Sequence, residues 1–329
     1  MKRAVLILLM LCAAFPAFAG TDDALRRLDA ELQKKALYDE AKEARIKELQ
    51  DQAMLATTDA ESFRLYQQLF GEFASYNFDS AHSCANHLRE TALRMKDRDC
   101  LLIADCDCVF CLMSAGFFKE AFDTAAAIDT TGCSANALAR YYETMVRLNF
   151  SMADYNYEED WQPGYISEGC AWSEKLLSSL DRQSDDWHYH HADLAMKSGR
   201  TAESTAEFIY LLSRDIDLHR RAIITSCLGW MYMQGGEEDK AVEYLAEAAI
   251  CDLQSSTKET TALRMLADVL SRQGQTGRPA RYVRESFEDA NFYDARQRKI
   301  EVGAVLPIIE RNRNEILQRE RNTLLASII

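Results

Sequence analysis

The stretch Leu228-Gly229-Trp230-Met231-Tyr232, followed by Gly235-Gly236 and then Ala241-Val242-Glu243-Tyr244-Leu245, decides how this chain folds. The apolar spacing before and after the glycine pair is that of two helices, and the glycines supply the turn between them. Small Gly229 and Ala241 let the helices approach closely, while Leu228, Tyr232 and Leu245 fill the space around the contact. One such hairpin has an apolar face that it cannot bury alone, so copies are expected on both sides.

Those residues resemble a tetratricopeptide repeat, with Thr225 where that motif has Trp and Leu245 where it has Phe. Working outward, weaker copies follow the same plan. Leu65, Leu69 and Phe73 precede Ala81-x3-Ala85, and Leu102 to Ser114 precede Gly116 and Ala121-x3-Ala125. Ala137 to Leu148 finds its partner at Ile166 to Leu180, and Asp185 to Asp215 holds Gly199 with Ser204-x3-Phe208. After the best copy, Leu266, Ala267 and Leu270 precede Gly274, with Pro279 at the small-residue position. Steps of 40, 37 and 38 residues separate Ala81 from Ala121, Ser204 from Ala241, and Ala241 from Pro279. The expected fold is all-α, a tetratricopeptide-like right-handed solenoid of antiparallel helix pairs. About six repeats would occupy residues 58–290, with long terminal helices at 20–57 and 291–329. An acidic, aromatic run from Ser151 to Gly164, containing Trp161 and Pro163-Gly164, reads as a loop inserted in the third repeat.

Residues 1–19 carry a basic start, an apolar run and Ala17-Phe18-Ala19, which together read as a secretory signal and imply an exported, periplasmic chain. The formal charge of −14 becomes two units more negative once Lys2 and Arg3 leave with that signal. Such a surface repels polyanions, so nucleic acid is not an expected partner. Leu25, Leu28, Leu32, Ala36, Ile46 and Leu49 form an apolar stripe on the N-terminal helix. It is expected to pack on the first repeat, with a homodimer through the terminal helices as the alternative. At the other end Pro307 should kink or restart the last helix, and Leu324 to Ile329 suit the first turns of a membrane helix.

Residues with chemical potential are few. Asp105-Cys106-Asp107-Cys108-Val109-Phe110-Cys111 falls inside a helical segment, where Cys106 and Cys108 point to nearly opposite sides, and no second Cys pair follows. His188 and His191 share a helix face but make only half a metal site. Nine cysteines remain after the signal and read mainly as buried small apolar residues, with Cys100 and Cys133 as a pair open to oxidation. No phosphate-binding loop, nucleophile elbow or metalloprotease motif is present. The expectation is therefore a non-enzymatic protein with no catalytic residues, no metal and no cofactor. The fold offers a concave groove instead, lined in the repeat register by Tyr189, Asp193 and Lys197, by Ser226, Trp230 and Met233, and by Arg264, Asp268 and Arg272. A protein, peptide or glycan would occupy it, with Trp230 as anchor.

Beyond the repeats, several stretches resemble a family of exported Bacteroidetes regulators. They are Leu28-Asp29, Lys42-Glu43-x-Arg45-Ile46-x2-Leu49, Phe78-Asp79-Ser80-Ala81, and the late run from Asp289-Ala290-Asn291-Phe292-Tyr293-Asp294 to Leu306-Pro307-Ile308-Ile309-Glu310. The resemblance implies periplasmic repeats that sense a ligand, followed by a membrane helix and a cytosolic output region, both expected beyond Ile329. It implies no catalytic residues in the repeats. A free periplasmic adaptor in envelope assembly is the alternative reading.

Overall fold

In the computed structural model, residues 20–328 are described, apart from 157, 259–260 and 295. The signal sequence expected at 1–19 lies outside them. The described residues form fifteen helices and no strand. The N-terminal pair is α1 (Thr21–Leu32) and α2 (Lys35–Met54). Six pairs follow: α3 (Asp59–Phe73) with α4 (Phe78–Met95), α5 (Arg98–Ala115) with α6 (Phe118–Ala126), and α7 (Ala135–Tyr155) with α8 (Gln162–Ser179). Then come α9 (Asp185–Lys197) with α10 (Thr201–Leu212), α11 (Leu218–Gln234) with α12 (Glu238–Gln254), and α13 (Ala262–Arg272) with α14 (Gly277–Tyr293). The last helix is α15 (Arg296–Ile328).

The starts of the first five of these six pairs are written locally. Glu61 N donates to Thr58 Oγ1 at 3.2 Å, Cys100 N to Asp97 at 3.0 Å, Ala137 N to Ser134 at 3.3 Å, Trp187 N to Ser184 at 3.1 Å and Arg220 N to Asp217 at 2.9 Å. Each such cap answers a backbone N–H that the first turn leaves open, worth about 1 kcal/mol. In four of the six pairs the turn is set by a left-handed glycine, Gly116 at φ 88° and Gly236 at φ 76°, with Gly199 and Gly274 in the same role. A residue with Cβ is strained there, so the glycine ends one helix and aims the next back along it. Between α11 and α12 the approach is close: a Cβ on Gly229 would lie 2.6 Å from Leu245 Cγ. Leu228, Ala241 and Leu245 are fully buried around that contact.

The third pair departs from expectation. The loop predicted over 151–164 is narrower, because α7 continues to Tyr155 and α8 begins at Gln162. Pro163 and Gly164 do not break α8, since Pro sits in its first turn, where a missing N–H costs nothing. Pro307 likewise lies inside α15 rather than dividing it.

The N-terminal stripe also splits. A turn at Gln33-Lys34 ends α1, whose Leu25, Leu28 and Leu32 enter one core with Val242 and Leu245 of α12, Leu266 and Leu270 of α13, and Tyr282 of α14. Only α2 reaches the first repeat, where Ile46 packs with Phe63, Leu69, Phe70 and Phe73. The N-terminal pair therefore bridges the last repeats to the first. A polar clasp reinforces the bridge. Lys258 N donates to Ser75 O at 2.7 Å, and its ammonium reaches Asp39 at 2.7 Å and Asp289 at 3.3 Å. Lys35 meets Asp289 and Glu285, both at 3.0 Å, and Tyr293 donates its hydroxyl to Ala74 O at 2.8 Å. The array is thus closed upon itself. α15 packs on α13 and α14, buries Val302 and Ile309, and also touches α5.

Candidate functional site: the concave face

The leading helices of successive pairs, α5, α7, α9 and α11, bring charged and aromatic side chains to one inner surface. Arg140 of α7 donates to Asp107 of α5 at 3.0 Å and to Glu143 at 3.0 Å, joining two repeats through a buried carboxylate. Burial pushes the Asp107 carboxyl up to about 6 against the pull of Arg140. Burial also acts on Glu143, but Arg140, Arg147 and His190 outweigh it and hold that carboxyl below its ordinary value. One turn further along α7, the Arg147 guanidinium lies over the Phe110 ring at 4.7 Å.

On α9 the three sequence-predicted residues do share a face. Tyr189 lies beneath the Arg220 guanidinium at 5.2 Å and packs against the core of the fourth and fifth repeats. Asp193 is enclosed by protein while keeping some access to solvent, and burial raises its carboxyl to about 6. Lys197 pairs with Asp154 of α7 at 2.7 Å. Burial works against the Lys197 ammonium, but Asp154 and Asp193 together hold its proton above the ordinary value.

On α11 the predicted residues part company. Trp230 is 42% exposed, which places it on the surface rather than in the core. Met233 is turned away from open surface and packs against the cluster formed by α1 and α12 to α14. Ser226 is half-buried. On α13 the residues are not free either. Arg264 is held by Glu301 of α15 at 3.3 Å, and Asp268 pairs with Arg272 at 3.4 Å on the exposed flank. Of the eight predicted residues, Tyr189, Asp193 and Lys197 follow one face of α9, Trp230 and Met233 of α11 go to the surface and to the core, and the three on α13 are held in ion pairs.

Sequence reasoning missed the inner residues at other register positions: Asp107, Phe110, Arg140, Glu143, Arg147, His190, His219 and Cys227. A stripe at spacings of four and three from His219 through Ile223 and Ser226 to Trp230 was the available signal. His219 Nδ1 lies 3.5 Å from Thr257 Oγ1, and burial, then Arg147, depress its proton affinity. Burial lifts the Cys227 thiol to about 12, with Asp193 adding to it. A thiol so far above its ordinary value stays protonated and is a poor nucleophile.

The other strings resolve into packing. Cys106, Cys108 and Cys111 are buried, and none of the nine described cysteines forms a disulfide. His188 Nδ1 lies 2.8 Å from Glu207, and His191 stacks on Trp187 at 4.5 Å and meets Glu203 at 3.2 Å. Among the described residues no group of three or more metal-ligating side chains is arranged around a common centre, and no helix is long and apolar enough to cross a membrane.

Paired helices with capped starts, glycine turns and a polar inner face define a helical-repeat domain of the tetratricopeptide class, a scaffold for protein interaction. The chain belongs to the SusR N-terminal TPR domain family, whose profile matches residues 32–304. Among curated proteins none matches the chain.

Proposed function

We propose that this chain is the ligand-sensing part of a membrane-anchored, exported regulator and has no catalytic function of its own. The concave face binds a protein, peptide or glycan, and α15 carries the state of that face toward the membrane. One observation supports this reading above the others: Arg264, a groove position on α13, is tied to Glu301 at the root of α15. Arg298 adds a second contact to the same carboxylate at 3.1 Å. A ligand that draws Arg264 away changes what holds α15, which is differential contact of the kind that relay requires. The test is a library of periplasmic peptides and oligosaccharides screened by thermal shift against residues 20–329, followed by Glu301→Gln in the membrane-anchored protein. The expected result is unchanged ligand affinity with loss of ligand-dependent output. Output that survives Glu301→Gln intact would sink the relay, and no ligand sensitive to Trp230→Ala would sink the groove.

A further inference from the structure

The acidic, aromatic segment between α7 and α8 forms the rim of a cleft of about 610 Å³. Phe122 of α6 stands on one side, and Trp161, Tyr165 and Trp172, at and after the start of α8, stand on the other. Met145 and Asn149 of α7 lie at the bottom. At about 100° per residue, these two fall on the side of α7 opposite Arg140 and Arg147. The cleft is therefore separate from the concave face. α6 is short, nine residues against eighteen in each of α4 and α8, which leaves space on both of its flanks. A second cleft of about 570 Å³ lies on the other flank, against α4.

Rings and carboxylates make up this cleft. Trp161 is 64% exposed, and the Tyr165 ring lies 5.9 Å from that of Phe122 across the opening. Asp160 and Glu168 line it as exposed side chains, and among the described residues neither makes an ion pair or a side-chain hydrogen bond. No basic side chain lines the cleft. The chain itself shows what such a wall accepts: the Lys175 ammonium lies over the Trp172 ring at 3.8 Å. A cation entering the cleft gains from the ring faces and from the two unanswered carboxylates together. An anion is repelled there, and a neutral sugar could stack on the indole but makes no use of the charge. The second cleft repeats the chemistry. Its Phe78 and Phe117 rings lie 6.2 Å apart, and its Asp79 and Glu120 carboxylates are also without an ion pair among the described residues. A small cation needs only one cleft, whereas two of like chemistry on either flank of one short helix suit a chain laid across it.

We propose that the face around α6 is a second binding surface, which takes a basic polypeptide segment lying across α6 with an arginine side chain in the Trp161 cleft. This surface is independent of the concave groove, and its occupant is a partner protein rather than the groove's ligand. Arginine suits the cleft better than lysine, because its guanidinium plane stacks on an indole while its N–H fork donates to a carboxylate. The net charge of −14 on the chain draws such a segment in from a distance.

The test follows the Trp161 indole N–H by NMR in residues 20–329, its signal assigned by its loss in Trp161→Phe, with affinities from calorimetry at constant ionic strength. The probe is an acetylated and amidated peptide of repeated Arg-Ala-Ala. Its counterparts are the same peptide with citrulline in place of each arginine, arginine amide alone, and lactose. The expected result is a saturable Trp161 shift with the arginine peptide, a much weaker one with arginine amide, and none with the citrulline peptide or lactose. Asp160→Asn combined with Glu168→Gln should weaken the arginine peptide about fivefold, as the loss of two exposed charge pairs would. Trp161→Ala should weaken it about three- to fivefold, the share of an exposed cation–π contact. Asp79→Asn combined with Glu120→Gln should weaken the peptide but not arginine amide, and Trp230→Ala should change neither. All these side chains are exposed, so helicity should be unchanged throughout. The surface is overturned if the citrulline peptide binds as well as the arginine one, or if the Asp160 and Glu168 changes leave the affinity intact. Arginine amide binding as tightly as the peptide would refute a polypeptide occupant. A Trp161 shift with lactose and none with the arginine peptide would give the cleft to a glycan instead, and peptide binding lost in Trp230→Ala would move the peptide to the concave groove.

Discussion

Gly229 shows how much a single atom decides. Its place in α11 is set by Leu245, whose Cγ and backbone N would stand 2.6 Å and 3.2 Å from an added Cβ. Gly229→Ala gains helix propensity yet must push α12 away, so urea unfolding should show a net loss of about 1–3 kcal/mol. Asp193 gives a pH signature. Its folded carboxyl stands near 6 against an ordinary 3.8, so the folded state holds this proton longer than the unfolded chain. The associated stability is present below about 3.8 and is lost as pH rises through about 6. Asp193→Asn should therefore flatten that part of the stability–pH curve between pH 4 and 7 in urea melts at fixed salt. Trp230→Ala, a surface change, should leave helicity nearly intact and weaken ligand binding. The register of Trp230 was legible because Gly229 and Ala241 mark the tight contact and so fix which side faces out. Arg147 was not legible, because its ring contact depends on α5 bringing Phe110 beneath it.

At the scale of the element, most helix starts and turns could be read directly. Ser, Thr and Asp before the leading helices, and glycine before their partners, are local signals that owe nothing to the rest of the fold. The segment around Tyr155 to Gly164 misled because an acidic, aromatic, Pro-containing run looks unhelical. In fact Pro163 suits a first turn, and the break is confined to the residues between α7 and α8. α15 divides by burial rather than by its proline. Val302 and Ile309 are buried, whereas Leu317 and Leu325 stand 48% and 55% exposed. Ending the chain after Arg311 should therefore leave the melting temperature of the array nearly unchanged, and ending it before Val302 should lower it clearly, as calorimetry of the two truncations would show.

For the whole molecule, closure was the feature that periodicity could not give. A stripe of Leu25, Leu28 and Leu32 says that α1 packs on something, and its neighbours in sequence suggest the first repeat. The partners it finds are more than two hundred residues away, beyond any local pattern. The clasp that completes the ring rests on Lys258, a nearly fully buried ammonium between Asp39 and Asp289. Lys258→Met leaves two carboxylates short of a partner and should cost about 3–5 kcal/mol. Small-angle scattering should show a larger radius for that variant, and adding Asp289→Asn should recover part of the stability.

An open stack of repeats frays, because each terminal unit has only one neighbour to hold it and protection against amide exchange falls off toward both tips. Here α1 and α2 lie against the far end, so the outermost units each have neighbours on two sides. The first and sixth pairs should then exchange their amides about as slowly as the pairs between them, and a single cut in the clasp should restore the gradient from tip to middle.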